Sequence, residues 1–147
     1  MPGDEHGIEN ISKFQATYYI IKYKSKKAMD NERGKTAGGS MLIDWDNLKF
    51  QPHDRGGVRK FFDRKSAMSD RIEIHATTLN PNIKSHEPHT HAPAEIIIMM
   101  DGTTEMEIDG NKYQGKVGDI YFLASNSFHA IRNTGTKQCT YLAFQWE

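Results

Sequence analysis

The run His89-Thr90-His91-Ala92-Pro93-Ala94-Glu95 places two imidazoles and a carboxylate close together in the chain. In an extended backbone successive side chains alternate faces, so positions i, i+2 and i+6 all project to one side. Neutral imidazole nitrogen and carboxylate oxygen suit borderline first-row divalent ions, and a further histidine leaves one or two positions open on an octahedral metal. Open positions are what catalysis needs. Iron(II), manganese(II), nickel and zinc all fit this donor set, because geometry and availability select among them as much as ligand type does. The downstream segment Gly118-Asp119-Ile120-Tyr121-Phe122-Leu123-Ala124-Ser125-Asn126-Ser127-Phe128-His129-Ala130-Ile131-Arg132-Asn133 offers the further histidine, His129, with Asn133 after it.

Strands must position these groups. Pro88 precedes the first run and Pro93 lies within it, and proline is confined to strand starts, edges and bulges, so the chain is expected to bend between His91 and Glu95. Ile96-Ile97-Ile98-Met99-Met100 reads as a strand, followed by the hairpin signal Asp101-Gly102. Ile120–Leu123 reads as another strand, between turns at Gly118-Asp119 and Ser125–Ser127, and His129 begins the next. Arg71–Thr77 and Thr104–Asp109 alternate, the latter with Met106 and Ile108 inward and its acids outward, ahead of an Asp109-Gly110 turn. Short alternating strands separated by Gly- and Asp-containing turns predict an all-β barrel or sandwich.

At these two segments the sequence resembles the cupin superfamily. The first cupin motif carries two histidines and a glutamate at this spacing and closes on a glycine, here Gly102; in the second, a single histidine is followed by an asparagine. The likeness spans residues 57 to 147. It implies a cupin jelly-roll (double-stranded β-helix) barrel with His89, His91, Glu95 and His129 as metal ligands at its mouth. Three positions depart from the pattern. Ile83 replaces a glycine ahead of the first histidine, although Asn80-Pro81-Asn82 can supply that turn. Ala124 stands for a proline, and Asn126 for a glycine whose left-handed conformation asparagine tolerates.

The amino-terminal residues repeat the second motif. Pro2-Gly3-Asp4-Glu5-His6-Gly7-Ile8-Glu9-Asn10 lies without gaps on Ser125–Asn133, and Gln15, Thr17 and Tyr18 lie on Gln138, Thr140 and Tyr141. Residues 1–24 are therefore expected to form strands like the end of an upstream cupin, making the chain the carboxyl-terminal barrel of a bicupin. Ala16–Tyr23 is the β-prone part, and it must be covered by this barrel or by a second subunit. Residues 25–40, basic and glycine-rich, read as a linker, and 41–147 as the cupin barrel, with Trp45 and Leu48 covering one end and Gln51–Gly57 as a loop.

Nineteen acidic and nineteen basic residues balance, which gives no reason to expect nucleic acid or an anionic membrane as partner. The single cysteine, Cys139, excludes an intrachain disulfide and reads as a core residue. No run spans a bilayer and no signal peptide opens the chain; the expected compartment is the cytoplasm, unless an export signal precedes the true amino terminus. Strand alternation places Ile97 and Met99 on the pocket wall, with Phe122 or Tyr121 from the strand before the second motif. His6, His53, His75 and His86 read as surface or hydrogen-bonded histidines.

The resemblance implies dioxygenase, decarboxylase, isomerase or hydrolase chemistry on a small polar or carboxylate-bearing metabolite. The alternative is a non-catalytic barrel that binds a sugar or metabolite. Pairing of two copies through the terminal strands is expected in either case.

Overall fold

The computed structural model describes residues 5–23 and 25–147. Pro2, Gly3 and Lys24, on which parts of the repeat and linker readings rest, lie outside the described residues. Among the described residues nine strands run in the order β1 (Gln51–His53), β2 (Gly56–Arg64), β3 (Ile72–Leu79), β4 (Ala94–Asp101), β5 (Thr103–Ile108), β6 (Asn111–Lys116), β7 (Ile120–Leu123), β8 (His129–Asn133) and β9 (Cys139–Trp146). They form a six-stranded sheet, β1-β2-β3-β9-β4-β7, and a three-stranded sheet, β6-β5-β8. Every pairing is antiparallel. Leu79, Ile97 and Tyr141 from the large sheet meet Met106 and Ile131 from the small one in a single buried core. The architecture is the expected all-β jelly-roll barrel.

Period-2 alternation decides which side chains reach the interior. In β5 Thr104 and Met106 are fully buried. Asp109 and Gly110, both at positive φ (48° and 81°), close the β5–β6 hairpin, which is the backbone a two-residue hairpin turn demands. Register across β3, β9 and β4 sets inward residues in rows. Glu73, Gln145 and Glu95 form one row, His75, Ala143 and Ile97 the next, and Thr77, Tyr141 and Met99 the third.

Four local expectations are corrected. Asp101-Gly102 does not close a hairpin: β4 and β5 belong to different sheets, so the turn is a corner between them. Gly102 sits at φ 77°, and a Cβ there would come within 2.6 Å of the Cys139 Cβ, so the corner is packed against β9. Gln51–Gly57 is not a loop, since Gln51–His53 pairs with Gly56–Val58 as a hairpin. Trp45 lies in a 3-10 turn, Trp45–Asn47, against Phe61 and the Arg59 guanidinium.

The third correction concerns the front of the chain. Among the described residues, Glu5–Tyr23 form no strand. The rear of the segment lies against the outer face of the large sheet, where Ile21 and Tyr23 border a groove with Ile96, Phe122, Phe144 and Trp146. That face is rich in large apolar side chains, so covering it competes with pairing at an edge. Fourth, the span read as a linker holds a helix, α1 (Asn31–Thr36), capped by the Asp30 side chain on Arg33 N–H. Arg33 ties it to the barrel by donating to the carbonyls of Ser66 and Ala67. Among the described residues no helix is long and apolar enough to cross a membrane.

Candidate metal centre

The run from His89 to Glu95 is not one strand. His89 forms an isolated antiparallel bridge with His129, residues 92–93 bend, and β4 begins at Ala94. His89 is thereby fastened beside β8 of the small sheet, while Glu95 stands on β4 of the large one. The bend expected between His91 and Glu95 carries the chain from one sheet to the other. The two motifs meet because of this crossing.

One ring nitrogen from each of His89, His91 and His129 lies within 4.8 Å of the others. Glu95 Oε2 stands 3.5 Å from His91 Nε2 and 3.7 Å from His129 Nε2. Hydrogen bonding sets the tautomers. His91 Nδ1 is 2.8 Å from the Pro93 carbonyl, and His129 Nδ1 is 2.9 Å from the Ser127 carbonyl. A carbonyl oxygen only accepts, so each Nδ1 carries the hydrogen and each Nε2 presents a lone pair. A backbone carbonyl behind a ring is the usual outer support of a metal-binding histidine.

Burial pushes the His129 pKa down, against the Ser127 hydrogen bond that raises it, so the ring is held in its neutral, ligating form. Burial pushes the Glu95 carboxyl up, opposed by a hydrogen bond from Gln145 Nε2 and by His91. An ionised carboxylate at 5% exposure lacks a cation of its own, and a divalent ion beside it would supply one. Three convergent imidazoles, two of them with the ring orientation fixed from behind, and a buried acid together fit a metal.

The cluster opens on a cavity of about 290 Å³, at the small end of ligand pockets. Ile97 lines it. Met99 is buried in the core below, and Tyr121 is buried too, bonded to Thr104. Phe122 does not reach the pocket: it is 60% exposed on the outer face of the large sheet, since β7 turns Tyr121 and Leu123 inward. Asn133 is fully buried away from the cluster, its amide nitrogen shared among the carbonyls of Leu79, Asn80 and Lys137. It clamps one end of the barrel.

Three histidines that read as bland also border the cavity, so six of the chain's seven line one site. His86 packs edge-on against His89 with ring centroids 4.1 Å apart. Arg55 N–H donates to His53 Nδ1, which leaves Nε2 of that ring as a donor. His75 Nδ1 lies 2.8 Å from Glu73 Oε1. Only for His75 did the sequence carry a signal, a carboxylate two residues earlier on the same strand face. Deeper in the cavity Tyr141 reaches toward Thr77 and Ser85, burial pushing its phenol pKa far up. Ser85 Oγ is left without a hydrogen bond of proper geometry.

A two-sheet antiparallel barrel carries at its mouth three convergent histidines that could hold a metal ion. The family model described as cupin domain matches residues 76–144, and this barrel segment is a cupin domain. An RmlC-like cupin from Shewanella frigidimarina superposes with a TM-score of 0.62 at 10% identity, covering 74% of this chain and 91% of that one. The polyketide cyclase RemF from Streptomyces resistomycificus gives 0.60 at 17% identity, over 73% and 79%. A sugar phosphate isomerase of the cupin superfamily from Silicibacter pomeroyi gives 0.57 at 14% identity, over 73% and 76%. At these identities the likeness is one of fold. No curated protein matches the sequence.

Proposed function

We propose that this barrel is a mononuclear metalloenzyme acting on a small polar or carboxylate-bearing metabolite, with His89, His91, Glu95 and His129 holding the ion. The observation that carries the reading is the convergence of the three imidazoles beside the buried Glu95 carboxylate. A bound divalent ion would supply Lewis-acid polarisation of a substrate oxygen, or bind dioxygen if it is iron. The chain's own part is to orient and enclose. Ser127 and Pro93 carbonyls fix the ring faces, Gln145 holds Glu95, and Ile97 and Ile131 bound the cavity with apolar surface.

The fold does not choose the reaction, since a polyketide cyclase and a sugar phosphate isomerase share it at similar superposition. Elemental analysis of the purified chain beside a His89→Ala/His129→Ala variant tests the reading. About one equivalent of iron, manganese, nickel or zinc, lost in the variant, supports it. A chain that holds no ion and takes up none when each is offered leaves a metabolite-binding barrel instead.

The same reading extends to assembly: two copies pair through the amino-terminal segment, whose Ile8, Ile11 and Phe14 side chains stand 70%, 93% and 81% exposed.

A further inference from the structure

Glu73 and His75 share a face of β3, and Arg71 stands two residues before Glu73, just ahead of the strand. Arg71 grips Asp63 with two bonds of 2.9 Å and reaches Glu73 Oε2 at 3.3 Å. Glu73 Oε1 in turn meets His75 Nδ1 at 2.8 Å. The result is a line of alternating charge, Asp63 to Arg71 to Glu73, that ends on an imidazole bordering the metal cavity.

A surface ion-pair network need not do more than steady a strand. This one ends differently. Its last member faces the cavity, and its bond to a carboxylate requires the hydrogen of the neutral ring to sit on Nδ1, leaving the Nε2 lone pair without a partner among the described bonds. An imidazole held from behind by a carboxylate is the arrangement that orients a general base. The neighbouring residue in its row is Ala143, followed by Ile97 on β4. Alanine interposes no long side chain between His75 and the space over the cluster. Two strand spacings, about 10 Å, separate the backbones of His75 and Ile97, a span that a small ligand and an imidazole can fill.

We infer that His75 is the proton-accepting group of this cavity, positioned by Glu73 and Arg71, and that it acts on a small carbon acid held at the three-histidine cluster. This rests on the metalloenzyme reading above and adds to it the base. Nε2 takes a proton from the acidic carbon, the C–H electron pair staying on the ligand. Return of a proton to that carbon restores both partners, so in heavy water the ligand gains deuterium and is otherwise unchanged.

Pyruvate is the probe. The metal-replete chain is incubated with it in D2O, and loss of its methyl protons is followed by ¹H NMR after the ion is chelated away. The wild type is expected to speed exchange about a hundredfold over the same ion in buffer. His75→Gln, at equal metal content and melting temperature, should fall to near the rate of the ion alone. Exchange undiminished in that variant overturns the inference, as does a metal-replete wild type that gives no exchange. A second measurement is independent of turnover: ¹⁵N-histidine spectra of the metal-free chain should show hydrogen on Nδ1 of His75, and a mixed tautomer in Glu73→Gln. Hydrogen on Nε2 in the wild type overturns the assignment. A wild type that takes up no metal sinks the metalloenzyme reading instead, and the tautomer still decides the orientation of His75.

Discussion

His89 and His129 are locked to one another by two backbone hydrogen bonds, His89 N–H to the His129 carbonyl at 3.1 Å and His129 N–H to the His89 carbonyl at 2.9 Å. This pair fixes the distance between the two motifs through the main chain, whatever the side chains do. Metal binding and folding are therefore separable at His89. That ring is exposed, whereas His129 is 3% exposed. Both His89→Ala and His129→Ala should lose the ion. In urea unfolding of the metal-free chain, His89→Ala should cost no more than about 0.5 kcal/mol and His129→Ala about 2 kcal/mol. Equal losses would mean that the His89 ring itself supports the bridge.

Glu95 answers a different test. Burial raises its pKa in the folded chain, so the stability tied to this group is present below its unfolded value and is lost as pH rises through the folded one. Glu95→Gln removes the buried charge. In the metal-free chain the variant should gain on the wild type as pH climbs from 4 to 7, by on the order of 1 kcal/mol at neutrality, or roughly 3 °C in melting temperature. Its metal affinity should fall. A variant that melts below the wild type at pH 7 without metal would show that the Gln145 bond outweighs burial.

Glu73 has the opposite sign. The hydrogen bond from His75 is the largest influence on its carboxyl and holds the pKa below the ordinary value, against burial. Its contribution is present above the unfolded pKa of about 4.5 and fades as pH falls through the folded one. Glu73→Gln should cost no more than about 1 kcal/mol at pH 7 and nothing at pH 3. A difference that persists in acid would assign the cost to packing.

Local spacing made the three-histidine cluster and most strands legible. Ile120–Leu123 and the start of β8 at His129 needed only turn residues and alternation. Asn82 and Asn126 adopt the left-handed backbone that asparagine tolerates. What stayed hidden depends on register between distant strands. Nothing near His75 in the chain reveals that β9 sets it in a row with Ala143 and Ile97. Phe122 was misplaced because alternation gives two faces without saying which is inward. The signal Asp101-Gly102 was read as a hairpin because a corner between sheets uses the same positive-φ glycine.

That corner is itself testable. Gly102 combines φ 77° with a space closed by Cys139, whose Cα would lie 2.9 Å from an added Cβ. The backbone of β9 cannot retreat without disturbing β3 and β4 on either side. Gly102→Ala should therefore cost more than the roughly 1 kcal/mol of conformational strain alone, reaching about 2 to 3 kcal/mol once the clash is added. Urea midpoints give the answer. A loss under 1 kcal/mol would mean that the corner relaxes.

The amino-terminal segment supplies the last test, on assembly. Tyr19 Oη donates to the Gly118 carbonyl, and Tyr23 packs on Trp146 with ring centroids 6.0 Å apart, so the segment is anchored at its rear. Ahead of that anchor Ile8, Ile11 and Phe14 face solvent. Covering each such side chain contributes about 1.5 to 3 kcal/mol, which favours a second copy as the cover. Analytical ultracentrifugation of the full chain should find a dimer, and Ile11→Asp/Phe14→Asp should weaken its association at least about a hundredfold while leaving the metal content of the barrel unchanged. A wild type that stays monomeric at tens of micromolar, or a variant that dimerises as tightly, would remove this segment from the interface.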